Sequence, residues 1–352
     1  SRPRALPVDV PTEFGGLPPN PATVATETPG TIAYEMWRDL RFLWHSEEPV
    51  QVGVEEGAIT PQRIAVIRGR ILDAAGAPLS GATVALKDHP EYGYTLSRED
   101  GRFDLAVSGG GRAVLRVSMA GYLTVDRLLH VHWRDWETVD DVVLVALDPV
   151  ATQVTLDGSG GSEVAVGSVV TDGDGARQAA VIFPEGTTAA MVLSDGTEQP
   201  VGTGTLRITE YTVGDLGPAA MPATLPPASA YTYCVEVSLD EALAAGADTV
   251  TFDRAVPFYV DNFLGFPVGD PVPAGTYNRK SGLWEPLENG RVIAIVGETG
   301  GLADIDTDGD GSADDVATLA AFGIDDAERT HLATTYESGV TLWRVPLKQC
   351  RP

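Results

Sequence analysis

The residues best placed to do chemistry lie in one loop, Asp306-Thr307-Asp308-Gly309-Asp310-Gly311-Ser312-Ala313-Asp314. Carboxylates recur at relative positions 1, 3, 5 and 9, and Ser312 at position 7 can offer its carbonyl. Gly311 at position 6 permits the sharp turn. Calcium takes six to eight oxygens, supplied by loops of this spacing. Acids crowded this closely repel one another, and a divalent cation relieves the repulsion. Asp304 and Asp315 stand by as spare carboxylates. Position 12, which carries the bidentate Glu of an EF-hand, is Ala317. The expected ligand set is therefore Asp306, Asp308, Asp310, Ser312 and Asp314, in a short DxDxDG-type loop of weak to moderate affinity, on the order of 10⁻⁵ to 10⁻³ M. The expected role of calcium is structural: it would fix how the helical stretch from Val316 to Phe322 leaves the preceding hairpin.

Other candidates are weaker. Asp172 and Asp174 sit among two glycines and read as a hairpin loop. His130 and His132 lie two apart on an expected strand and so share a face. That is the spacing of a zinc pair, but His45, His89 and His331 offer no helpful third position and no HExxH occurs. A partly exposed strand face beside Trp133 and Trp136 is the plainer expectation. No G-x-S-x-G, no Walker A and no catalytic cysteine signature is present, so no enzyme is expected. Most of the six tryptophans lie in apolar patterns, which predicts burial more than sugar stacking.

The surrounding chain must position that loop. Its 352 residues suggest two or three domains, with many turns given 39 Gly and 25 Pro. Fifty acidic against 24 basic residues give a net charge of −26, a field that repels phosphate backbones and excludes nucleic acid as an expected partner. Two cysteines, Cys234 and Cys350, make no disulfide framework. No run of about 18 apolar residues spans a membrane. The opening SRPRALPVDV lacks Met and an apolar h-region, which reads as an excerpt or a processed product.

Residues 1–63 read as an extended, proline-rich arm with one short helix over 31–45. Residues 64–148 alternate short strands and turn signals, the pattern of a β-sandwich. Residues 149–300 are again β-rich. There Ser238 and Glu241 form a capping-box pattern for a helix from Leu239 to Ala245, with Gly246 ending it, and Tyr277 to Val296 reads as a hairpin turning at Lys280-Ser281-Gly282. Residues 301–352 carry the acidic loop, two short helices and a closing strand. The fold class expected is mainly β, with two consecutive sandwich-type domains and a few short helices.

Within 64–148, Gly69 in the first strand, the Gly76/Pro78 turn, Pro78-Leu79-Ser80-Gly81-Ala82, Asp100-Gly101-Arg102-Phe103 and Ala120-Gly121-Tyr122 resemble the carboxypeptidase-regulatory-like, or transthyretin-like, domain. Four blocks (47–71, the transthyretin-like segment, 181–197 with 208–247, and the stretch from 257) together resemble the N-terminal region of bacterial RHS/YD-repeat proteins, which are similar in architecture to animal teneurins. The stretch 257–346 is the most specific. Asn262, Phe263, Phe266, Pro267, Trp284, Asn289, Gly290 and Trp343 match recurrent positions, read as packing and turn residues. The resemblance implies a non-catalytic spacer followed by a fibronectin-type plug. It implies as partners a YD-repeat shell of the same polypeptide and a C-terminal toxin enclosed by it, and a secreted or cell-surface location. The alternative expectation is a calcium-dependent adhesion module that binds glycan or cell wall.

Overall fold

The computed structural model describes residues 13–25, 32–226 and 231–351; of the arm predicted over 1–63, residues 1–12 and 26–31 lie outside the described residues. The chain divides into two units. One comprises residues 1–146 with 215–229, the other 147–214 with 230–352.

The first unit is a β-sandwich. One sheet is built on strand Ile64–Asp73, which pairs antiparallel with Arg102–Ser108 and parallel with Trp136–Thr138 and Val142–Leu144. The other orders Tyr94–Leu96, Thr83–Leu86, Gly111–Ser118 and Val125–Val131. Phe103, Leu105, Val84, Leu115 and Val117 from the two sheets share one core. Phe103 points inward, and Gly69 makes room for it: a Cβ there would stand 3.0 Å from the Phe103 ring. Ile64, Ala65, Val66 and Ile67 are all fully buried, which alternation alone does not explain, because a one-sided strand buries every second residue. A second cover is required, and Met36, Leu40, Leu43, Val50 and Ile59 join the same core. The expected helix over 31–45 is shorter, Met36–Leu40 followed by a 3₁₀ turn at Arg41–Leu43. Gln51, wholly buried, gives its amide to Tyr92 O and Ala106 O and accepts from Ala106 N. A side chain here does what a strand's backbone would do. Residues 36–59 are thus part of the sandwich core and not a free arm. The segment 215–226 also packs here: Leu216, Ala219 and Ala220 lie against Leu72, Val143 and Val145, while Arg127 donates to Ala219 O and Met221 O.

The second unit is organised by a nine-stranded sheet whose longest member is Ala247–Asp261. The closing strand Thr341–Cys350 sits between that strand and Gly290–Thr299, so residues 301–351 complete the sheet begun within 149–300. One face packs on the three-stranded sheet of Thr152–Thr155, Thr203–Glu210 and Val235–Leu239. The other face packs under helices Val316–Ala321 and Asp326–Thr335, through Leu319, Ile324 and Leu332 against Tyr259, Ile293 and Leu342.

Two local expectations are corrected. The Ser238/Glu241 capping box does not form. Pairing with Thr203–Glu210 runs on through Ser238 to Leu239, so Ser238 is committed to the sheet. The helix Asp240–Ala245 starts at Leu239 without a side-chain cap, and Glu241 instead accepts from Thr205 N and Oγ1. Gly246 does end the helix, at φ 65°. The hairpin predicted over 277–296 closes earlier, between Gly275–Asn278 and Leu283–Pro286. Gly290–Thr299 leaves for the large sheet, because Val292, Ile293 and Ile295 are all buried and need cover on both faces.

Candidate metal centre

Strand Leu302–Asp306 delivers the acidic loop, and the Asp315 carboxylate ends it by capping helix Val316–Ala321 at Thr318 N, 2.7 Å. Asp306 is buried and accepts from three backbone N–H groups, those of Asp308, Gly309 and Gly311, at 2.7 to 3.0 Å. Burial alone would raise the Asp306 pKa; the hydrogen bonds from Gly309, Gly311 and Asp308 outweigh it and hold the group below the usual carboxylate value. An ionised carboxylate has about four lone-pair sites, so three N–H donors leave room for a cation.

Asp306, Asp308 and Asp310 each bring an oxygen within 4.8 Å of the others. Asp308 and Asp310 are exposed. The loop is held by backbone contact on its outer side. A Cβ at Gly309 would stand 2.6 Å from Val268 O, and one at Gly269 would stand 2.8 Å from Asp308 O. Arg291 adds a bond to Thr307 O at 3.0 Å.

Of the other acids at this loop, Asp314 and Asp304 are not among the three convergent carboxylates. Asp314 accepts from the backbone and hydroxyl of Thr307 and braces the loop. Ser312 is exposed and gives its N–H to Asp310. Asp304 is engaged by Thr299 Oγ1 at 2.7 Å and Arg329 at 3.6 Å. The three convergent carboxylates form an all-oxygen, hard donor set, which fits calcium in kind. Asp306, Asp308 and Asp310 would hold the ion, and its charge would offset their mutual repulsion.

Elsewhere in the second unit, ionisable groups meet in closed networks that no local motif signals. Arg177 bonds both Asp172 and Glu210, with the Phe263 ring 4.5 Å from its guanidinium carbon. Asp172–Asp174 is thus a hairpin turn, as expected, with Asp172 already paired. Tyr211 and Arg279 meet at Glu236; Tyr259 and Arg344 meet at Glu328. Burial, then the adjacent Glu328 carboxylate, keeps the Tyr259 phenol protonated. His331 Nε2 lies 2.8 Å from Ser162 Oγ, a nucleophile–base pairing by composition. The Ser162 hydroxyl, however, donates to Phe183 O, and among the described residues no carboxylate bonds the imidazole. That polarity does not activate a nucleophile.

Burial, expected for most of the six tryptophans, holds at Trp343; Trp37, Trp44 and Trp284 are half-buried, and Trp133 and Trp136 in the first unit are exposed. Trp133 is 61% and Trp136 38% exposed. Each lies over a guanidinium, of Arg63 at 6.0 Å and Arg68 at 4.0 Å.

The sandwich invites comparison with known proteins. Residues 59–144 match the family described as the Teneurin TTR-like domain. Teneurin-3 of Danio rerio is 29% identical over 130 residues, which cover 36% of this chain and 5% of that protein. Teneurin-1 of Gallus gallus is 40% identical over 83 residues, 24% of this chain and 3% of that one. Teneurin-4 of Homo sapiens is 27% identical over 130 residues, again 36% and 5%. The chain therefore corresponds to a small part of the teneurins it matches, and it includes a region similar to their transthyretin-like domain. Among solved structures, the streptococcal ancillary pilin aligns with 68% of this chain and 61% of its own at 11% identity and a TM-score of 0.22, too distant to carry any argument.

Proposed function

We propose that the chain is a non-catalytic structural module of a teneurin-like, RHS/YD-repeat protein that is secreted or held at the cell surface. In this reading the transthyretin-like unit is a spacer. The second unit is a fibronectin-type plug that caps a YD-repeat shell of the same polypeptide, a shell able to enclose a C-terminal toxin. The observation that carries it is the match of residues 59–144 to the Teneurin TTR-like domain. The closed ion networks of the second unit support a packing role, since the acids and bases there are spent on each other. Calcium at Asp306, Asp308 and Asp310 is the structural ion of this proposal.

The test is the native polypeptide itself. Its intact mass and terminal sequences should place this chain ahead of YD repeats, and after limited proteolysis residues 147–351 should remain bound to the repeat shell. A native chain without such repeats, or a plug that separates from them on mild cleavage, overturns the reading.

The exposed Trp133 and Trp136 favour one second reading, a calcium-dependent adhesion module. A glycan array probed with and without chelator separates the two, because only adhesion predicts chelator-sensitive binding by the isolated chain.

A further inference from the structure

His130 and His132 lie at the end of strand Val125–Val131 in the first unit, remote in sequence from the acidic loop. Val131 between them points into the core at 2% exposure, so strand alternation turns both imidazoles outward. Both are exposed, and their rings meet edge-on with centroids 4.8 Å apart and planes at 65°. Glu137 approaches from a different sheet, with Oε2 3.9 Å from His132 Nδ1.

The backbone that brings these groups together is tightly specified. Between His132 and Glu137 the chain reverses through Arg134 at φ 53°, an unfavourable conformation for a non-glycine residue. Arg134 N is bonded to Ile64 O at 2.6 Å and Val66 N to Asp135 O at 3.1 Å, which holds the reversal against the first strand. On the other side the His132 carbonyl occupies the space of an absent side chain: a Cβ at Gly109 would stand 2.3 Å from His132 O. Gly109 N is in turn bonded to Arg63 O at 2.7 Å. The backbone at all three residues is therefore well determined, and what remains free are the torsions of two exposed imidazoles and of a half-buried Glu137. Such torsions turn on the picosecond to nanosecond scale, so convergence on a common ion needs rotamer changes and no backbone motion.

We propose that His130, His132 and Glu137 form a surface site for one borderline divalent cation of the zinc and copper class. Two imidazoles and a carboxylate are the donors such ions take, and the three leave a coordination position open. The molecule's net charge of −26 favours cations near its surface. Arg112, opposite His130 on the neighbouring strand, works against it and keeps the site modest in affinity. The donor chemistry separates this site from the acidic loop: imidazole selects against calcium, and an all-carboxylate set does not select for zinc.

The test is calorimetric titration of the full chain with zinc chloride in calcium-saturated buffer, with Asp308→Asn and Asp310→Asn present so that the acidic loop cannot take up zinc. One zinc per chain is expected. His130→Gln with His132→Gln should lose that equivalent, and Glu137→Gln should keep it at reduced affinity. Both histidines are exposed and Glu137 is half-buried with one long contact to His132, so the variants should unfold within about a degree or two of the parent without zinc. No heat in the parent, or undiminished uptake in the double histidine variant, overturns the site; unchanged affinity in Glu137→Gln overturns its third donor.

Discussion

Asp306 and its neighbours Asp308 and Asp310 look alike in sequence but do different work. Asp306 is buried and accepts from three backbone N–H groups, whereas Asp308 and Asp310 are exposed and each accepts one N–H. Replacing Asp308 and Asp310 with Asn should abolish calcium-dependent thermal stabilisation and leave the chelated melting temperature nearly unchanged. Asp306→Ala should lower stability even in chelator, by about 1–3 kcal/mol, because three loop N–H groups lose a charged acceptor. A melting midpoint of the unaltered chain that is equal in excess calcium and in chelator would remove the metal from the loop. At the Arg177 cluster the signs oppose. Bonding to Arg177 holds Asp172 far below its ordinary value, so its contribution is full above the unfolded pKa of roughly 3.9 and fades as pH falls. Burial raises Glu210, so its contribution is full only below its unfolded pKa and is lost as pH rises through the folded one. Denaturant titrations should therefore show that the stability gap between the parent and Asp172→Asn shrinks below about pH 4; a gap independent of pH refutes the pairing. The acidic loop was legible because its donors are adjacent in sequence. Asp172–Arg177–Glu210 was not, since its members are brought together by pairing between distant strands.

At the scale of elements, exposed strand edges are a hazard that folds must cover. Strand Leu302–Asp306 pairs on one side only, with Gly290–Thr299. Its outer carbonyls are taken elsewhere: Ala303 O by Arg329 Nε at 2.9 Å and Ile305 O by Asp314 N at 2.8 Å. The helix bearing Arg329 is itself pinned through Glu328, whose carboxylate meets Arg344 and Tyr259 beneath it. Arg344 also donates to Phe322 O, fixing the turn between the two helices. Arg344→Met leaves a buried carboxylate without its cation and should cost about 3–5 kcal/mol in denaturant unfolding. Adding Glu328→Leu should recover part of that loss, because the orphaned charge is then gone. If the double variant is as unstable as the sum of the singles, the two side chains do not interact. Asp325-x-x-Glu328 has the spacing of a capping box, and its first half forms, with Asp325 Oδ1 accepting from Glu328 N. Glu328 reads equally well as the reciprocal partner of that cap, yet it is drawn into the core by Arg344, 16 residues later. Short-range rules found the cap and could not see the competing partner. The same limit explains Ser238, where a cap pattern lost to strand pairing with Thr203–Glu210.

Neither unit of the whole molecule is contiguous in sequence. Residues 215–226 interrupt the second unit and pack in the first, driven by three small or aliphatic side chains too few to form any periodic pattern. Turn spacing and motif order therefore revealed two β units but not the exchange of that segment between them. Both cysteines fall in the second unit, and both are free. Burial, reinforced by the Glu236 carboxylate, pushes the thiols of Cys234 and Cys350 up to about 12. At neutral pH a thiol reagent should thus modify two groups per chain in denaturant and almost none in the native state; absence of both in denaturant without reductant would mean a disulfide instead. Slow native labelling then measures local opening of this unit. Cys350 ends the strand that pairs with Gly290–Thr299, and Gly290–Thr299 in turn pairs with Leu302–Asp306, which delivers the loop. An ion that binds only the closed loop stabilises it by mass action, and the gain should spread along these shared ladders. Labelling of Cys350 should slow several-fold in calcium relative to chelator, with no such change in the Asp308→Asn, Asp310→Asn variant. Equal rates with and without calcium in the unaltered chain would show that the acidic loop opens independently of the sheet, and calcium would then not be a structural ion of the second unit.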